Sequence, residues 1–462
     1  MLEWDLSRLR SVTIPDSVTY IGEGAFSSHK IRYLEVPENV RHIGRYAFRS
    51  NRIRRLIIPE GVTYIGRRAF EVNRLTSIVI PGSITYIGSE AFAHNLLESV
   101  VFQNGITHIG NTTFLRNQIT FIDIPKSVTH IGSRAFEVNR LASLVIPENV
   151  ISIGHGAFSQ NHIASIVIHE NLHIEDGAFW DNRLTELIIP DGITSIEPRV
   201  FGRNHLTSVS IPGSVTYIGN SAFWRNELAE IIIPESVTHI GDAAFGNNEL
   251  TSVSIPDGIT RIGRQTFVNN RLTDVDIPAS VTYIGELAFG TSSASGTAGN
   301  RISGISIPEG VTHIGENAFN ANRLTSLVIP DSVTYIGRWA FYNNLLASAI
   351  IPDSVSFIGS GAFGENRLTE ITIPSSITEI GNHVFSRNQL ATVTIPNGVT
   401  RIGSFAFREN KIASLSIPDS VTYIGNWAFQ NNLFDSVLIP NNETRIGVSV
   451  FDRNVAITRG SD

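Results

Sequence analysis

A phenylalanine returns every 22 residues along this chain, and that period constrains its fold more than any other feature. Phe26 opens a run that steps by 22 to Phe158, takes one step of 21 to Phe179, and continues by 22 to Phe289. After one step of 30 the beat resumes at Phe319 and holds to Phe451, for 20 anchors in all. Self-similarity at a short fixed period marks a linear array, in which each unit buries its apolar residues against its neighbours. A length of 462 residues, which in a globular chain suggests several domains, therefore reads as one array over residues 1–462.

The composition narrows the function classes. With 35 Lys+Arg against 42 Asp+Glu, the chain lacks the basic footprint of a nucleic-acid partner. The absence of cysteine excludes disulfides, thiolate metal sites and cysteine nucleophiles. No run approaches the ~18 apolar residues of a membrane span, and the opening MLEWDLSRLR has no apolar core of a secretory signal. No nucleophile elbow, phosphate loop, zinc-binding HExxH or dinucleotide fingerprint interrupts the array, so neither catalytic nor cofactor-binding residues are expected.

The copy from Leu324 to Leu345, LTSLVIPDSVTYIGRWAFYNNL, shows the physics of one unit. Leu324, Leu327 and Ile329 follow an L-x-x-L-x-L spacing, with Leu327 and Ile329 on one face of a strand. Pro330 ends that strand because it cannot donate to a ladder, and Pro-Asp-Ser forms a turn. Val333 and Ile336 return to the core from a second short extended segment, and Gly337 allows the backbone to bend or approach closely. Ala340 and Phe341 close the far side. Pro ends the strand in 18 of 20 copies, Gly stands four before the Phe in 18 of 20, and Asn stands three after it in 18 of 20. The Asn column, with Asn51, Asn73, Asn95, Asn117 and Asn139 among its members, is expected to bond backbone groups of adjacent coils as a structural ladder.

The pattern L-x-x-V-x-I-P-x-x-V-T-x-I-G-x-x-A-F-x-x-N strongly resembles the BspA-like family of leucine-rich repeats over nearly the whole chain. The resemblance implies a repeat solenoid, mainly β: a right-handed coil of about 20 repeats of 22 residues with a parallel sheet on one face. It also implies a bacterial protein of the cell surface or exterior that binds other proteins or host material without catalysis. Many members carry Cys where this chain has Asn, so this is a variant form.

Three features could carry binding. The residue before the Ile-Gly pair is Tyr in seven copies and His in five. Tyr64, Tyr86, His108 and His130 fall in consecutive copies, and are either a partner- or sugar-binding stripe or an aromatic ladder packing side by side. Two imidazoles without a third ligand column make a poor metal site. The outward strand position is aliphatic in half of the 20 copies, consecutively at Val145, Val167 and Ile188; this is either β propensity or a sticky face for a partner. Two departures from the beat are the insertion at 290–299, a flexible Gly/Ser/Ala/Thr loop, and the stretch 169–200. In the latter His169 replaces Pro, Glu175 and Glu197 replace Gly, and Pro198 falls off column, by drift or for function.

Neither terminus reads as capped. Trp4 falls 22 before Phe26, Val12 and Ile14 are already in register, and Val455 and Ile457 start another strand. Two functions therefore compete: an adhesin-like rod binding protein or glycan through its outer faces, and a structural subunit stacking head to tail into filaments through Val12, Ile14, Val455 and Ile457.

Overall fold

A computed structural model describes residues 9–103, 105–292 and 299–460; Trp4 and positions 293–298 of the insertion lie outside the described residues. The chain divides into two compact units, Met1–Glu227 and Leu228–Asp462. Each is a parallel-strand β-solenoid, and no helix occurs among the described residues.

The parallel-strand coil expected from the sequence is present, and each unit has two parallel ladders. The more continuous one is built from the residue pair that precedes the Gly. In the first unit Tyr64–Ile65 pairs with His42–Ile43 on one side and Tyr86–Ile87 on the other. In the second, Tyr335–Ile336 pairs with His313–Ile314 and Phe357–Ile358. The leucine strands pair in shorter patches, such as Ser77–Ile80 with Ser99–Phe102 and Ser326–Val328 with Ser348–Ile350. Proline follows most of these strands, and its missing N–H stops the ladder from extending; after Ser99–Phe102, where Gln103 replaces it, the Gln103 N–H bonds the Ile80 carbonyl at 3.0 Å.

The third side carries the phenylalanines and is not a β-sheet. Here left-handed residues recur four apart, on either side of the Phe, and alternate N–H groups all point into the next coil. Tyr46, Phe48 and Ser50 donate to the carbonyls of Arg67, Ala69 and Glu71 at 3.0, 2.8 and 2.9 Å. Tyr46 and Ser50 sit at φ of 56° and 55°, and their counterparts in almost every coil are likewise non-glycine residues with positive φ. That conformation costs roughly 1–2 kcal/mol per residue, which the aligned hydrogen bonds and the buried Phe stack offset. Ring centroids are 5.4 Å apart between Phe48 and Phe70 and 5.5 Å between Phe319 and Phe341, wider than the ~4.8 Å strand spacing, so the rings stack with an offset.

The Asn side chain joins two coils. Asn73 Oδ1 accepts the Ile53 N–H at 3.0 Å, and its Nδ2 donates to the carbonyls of Phe48 and Phe70 at 2.9 and 3.1 Å. Asn51, Asn95, Asn117 and Asn139 make the same three-way connection. At the insertion Asn300 takes this place, bonding Leu272 N–H and the carbonyls of Phe267 and Phe289, so the extra residues fall ahead of it without breaking the ladder. The Gly column reflects close approach: a Cβ at Gly44 would lie 2.8 Å from the Glu23 nitrogen of the preceding coil.

Two columns decide whether neighbouring coils close on the main ladder. In regular coils the Gly N–H bonds the Ile carbonyl of the preceding coil, as in Gly66 to Ile43 and Gly337 to Ile314 at 2.8 and 2.7 Å. Gly110, Glu197, Gly263 and Gly381 make no such bond, and the sheet is interrupted before each of their coils. Those coils alone carry Ile at the Val column together with a β-branched residue in place of the Ala before Phe: Ile106/Thr113, Ile193/Val200, Ile259/Thr266 and Ile377/Val384. Ile84 with Ala91, or Glu443 with Val450, leaves the bond intact at Gly88 and Gly447. The added methyl groups wedge the coils apart. Phe rings on the preceding side are 5.7, 6.2, 5.8 and 5.8 Å away at Phe114, Phe201, Phe267 and Phe385.

Candidate functional site

Alternation along the leucine strand puts one residue per coil on the outside. Leu144 and Ile146 are buried, while Val145 between them is 78% exposed. In the next coils Val167 and Ile188 are 80% and 75% exposed. Val79 and Val101 hold the same position earlier in the first unit, with Asp123 between them and Val145, and Val328, Ile350 and Leu438 repeat it in the second. Isolated exposed aliphatics are ordinary, but a contiguous column is a surface that water solvates poorly.

The ring stripe is only partly assembled. Tyr20, His42, Tyr64 and Tyr86 form one face-to-face stack, with centroids 4.6, 4.1 and 4.8 Å apart. His108 stacks on His130 at 4.6 Å, but the wedge coil of Ile106 and Thr113 separates this pair from Tyr86, so the four residues do not form one stripe. His108 and His130 each engage the hydroxyl of the preceding threonine through Nδ1, and no group of three metal-ligating side chains occurs among the described residues. Within each stack the inner ring faces are spent on one another, whereas a sugar needs a free face. A second stack, Tyr283–His313–Tyr335–Phe357, lies in the other unit.

Burial pushes the imidazoles of His42 and His313 below their usual range, and at His313 the Arg261 guanidinium adds to the effect. These stacks hold neutral rings, so their stabilisation is complete above the unfolded histidine value of about 6.5 and declines as pH falls below it. Thermal melts at pH 7.5 and 5.0 are expected to show a smaller loss on acidification in a His42→Phe/His313→Phe variant than in the parent. An equal loss would contradict the neutral-ring account.

The irregular coils behave differently from the rest. Between the strands His173–Ile174 and Ser195–Ile196 the main ladder is open, and a cavity of about 300 Å³ occupies the gap, lined by residues from Ile168 to Phe201. Here a Glu replaces the close-approach Gly at position 197, Val200 fills the Ala column, and the coil of Phe179 is one residue short. Glu175, the other replacement, keeps its N–H on the Ile153 carbonyl at 2.9 Å.

A tryptophan pair was not read from the sequence. Trp180 and Trp224, two periods apart, stack at 5.7 Å across the intervening coil, where Gly202 supplies the space. Arg225 lies 4.4 Å over the Trp224 ring. The column after each Phe, compared two coils apart, would have shown it. Of the terminal positions, Ile14 is buried, Val12 and Val455 are half-buried, and Ile457 is exposed.

No helix is long and apolar enough to cross a membrane among the described residues. A family model described as BspA type leucine-rich repeat region (6 copies) matches residues 4–119, 73–183, 172–295, 298–410 and 357–459. No curated protein matches the chain. Among solved structures, YopM from Yersinia enterocolitica is similar at 18% identity over 86% of this chain and 85% of that one, with a TM-score of 0.46. A leucine-rich cell surface protein from Faecalibacterium prausnitzii is similar at 23% over 74% and 89%, with a TM-score of 0.39. The pneumococcal vaccine antigen PcpA is similar at 21% over 67% and 80%, with a TM-score of 0.45. The matched segments take in nearly every coil from which the ladders, the Phe stack and the Asn connections are built, and on that basis the chain belongs to the BspA-type leucine-rich repeat family.

Proposed function

We propose that this protein is a non-catalytic, cell-surface interaction scaffold that docks a protein partner on its outward aliphatic column. The observation that supports this reading is the run of Val145, Val167 and Ile188, each at least three-quarters exposed in successive coils. Family membership supports a surface placement and an adhesin-like role. A protein fits this column better than a glycan, because aliphatic groups offer burial without hydrogen bonds, and the aromatic faces that would hold sugars are stacked on each other.

The test is surface plasmon resonance of the purified chain against a panel of host extracellular proteins. A Val145→Lys/Val167→Lys/Ile188→Lys variant serves as comparison. The variant is expected to keep its melting temperature, since the positions are exposed, and to lose at least about tenfold in affinity for any protein that the parent binds. Unchanged affinity would move the interface elsewhere. A second reading, head-to-tail assembly, draws on the strand Ala456–Arg459, which pairs with Ser436–Ile439 while its own side chains stay exposed. A mass by light scattering that stays constant across a concentration series would remove it.

A further inference from the structure

The opening between the coils of Ile174 and Ile196 is a built cavity, and nothing in the aliphatic-column reading uses it. Its volume of about 300 Å³ lies at the lower end of the range for small-molecule sites, about 300–1,000 Å³. Its apolar wall comes from the core itself: Leu172, Ile174, Ile193, Ile196 and Phe201 all line it. Leu172, Ile196 and Phe201 stay buried at its floor, while Ile174 and Ile193 are half-buried at its surface. Here three independent departures keep the turns apart: the Ile193/Val200 wedge, the side chain of Glu197 where a Gly normally permits close approach, and the short coil before it. The stack remains wide on both sides of Phe201, at 6.2 and 6.0 Å.

The polar groups are equally specific. The Glu197 N–H and the Ile174 carbonyl, which would bond each other in a regular coil, do not do so, and both residues line the cavity. Two acidic residues, Glu170 and Glu197, line it, with no lysine or arginine among the lining residues and His173 as the one base. Glu197 accepts the Ser195 hydroxyl at 2.8 Å through Oε1, which leaves Oε2 for another donor.

We propose that this cavity binds a compact apolar amine: an ammonium group held by the Glu170 and Glu197 carboxylates and the Ile174 carbonyl, with a branched alkyl or aryl tail against the half-buried Ile174 and Ile193. An anionic guest of the same shape meets two carboxylates and no cation, so the site discriminates by charge as well as shape. The unused Glu197 N–H gives such a guest room for one acceptor, as in an amino alcohol or an amino-acid amide.

Calorimetric titration of the whole chain with phenethylamine, and separately with phenylacetate, tests this. Phenethylamine is expected to bind at one saturable site at least tenfold more tightly than phenylacetate. Glu197→Gln is expected to weaken it about tenfold, the 1.4 kcal/mol equivalent of one lost charge contact. Thr194→Trp, a change at an exposed lining residue, is expected to block the mouth and abolish binding without altering the melt. The proposal is overturned by no saturable heat with phenethylamine, by equal affinity for phenylacetate, or by binding that survives Thr194→Trp. None of these outcomes bears on the Val145–Ile188 surface, whose test is separate.

Discussion

Asn344→Leu is expected to be among the most damaging single changes in the chain. In the folded coil Asn344 Oδ1 accepts the Leu324 N–H at 3.1 Å, while Nδ2 donates to the carbonyls of Phe319 and Phe341 at 2.9 and 3.2 Å. Leucine fills the same space but leaves the buried Leu324 N–H without an acceptor and takes one of two donors from each carbonyl, which keep Asn322 and Asn366. At about 1–3 kcal/mol for the orphaned N–H and about 0.5–1.5 kcal/mol for each of the two lost hydrogen bonds, the loss is about 2–6 kcal/mol. Asn344→Asp separates hydrogen bonding from size. It keeps the acceptor for Leu324 but turns a carboxylate toward two carbonyl oxygens, so at pH 7 it should be at least as damaging as leucine. Protonation restores one donor, so part of the loss should return on acidification, against the trend expected of the histidine stacks. Denaturant unfolding of the three proteins checks this order; an Asp variant as stable as the parent would mean that the amide donors contribute nothing.

Phe341→Ala should cost about 3–5 kcal/mol, the usual range for emptying an aromatic core site. Phe341 is fully buried, and its ring stacks on Phe319 and Phe363 at 5.5 Å on each side. Alanine leaves a cavity that the neighbours cannot fill, because the hydrogen-bond ladder on this side holds their backbones at fixed spacing. Phe121→Ala, on the exposed outer face, should change stability by less than about 0.5 kcal/mol. If the two substitutions destabilise equally in urea, the Phe stack is not the core of the repeat.

Much of this architecture was legible because one unit is written many times. The Phe period, the Pro stop after the leucine strand and the Asn spacing each point to a buried or turn position. The Asn at three past each Phe does bridge coils, as Asn73 illustrates. The left-handed residues were not legible. Arg68, Val72 and Trp339 hold positive φ, and such side chains carry no local signal for it; the conformation is imposed by the ladder between coils. Which of the two extended segments carries the more continuous ladder was not legible, for a related reason. Leucine strands have the stronger β pattern, yet proline limits them, while the short Tyr-Ile and His-Ile pairs are held by neighbours above and below. The candidate stripe Tyr64–His130 failed because its integrity depends on Ile106 and Thr113, two conservative changes in other columns. The cavity was visible only as irregularity around 169–200; its shape comes from the combined bulk of Ile193, Glu197 and Val200.

The central claim is that regular columns close the coils, whereas paired bulky departures open them and create the sites available for ligands. Amide hydrogen exchange on the intact chain, followed by mass spectrometry with single-residue fragmentation, tests it most directly. Gly66, Gly88 and Gly132, bonded to the preceding coil at 2.8 Å, should exchange on the order of 100-fold more slowly than Gly110 and Glu197, which lack that bond. Thr113→Ala should slow Gly110 toward its regular neighbours. Equal exchange at all five amides, or a Gly110 indifferent to Thr113→Ala, would contradict the account.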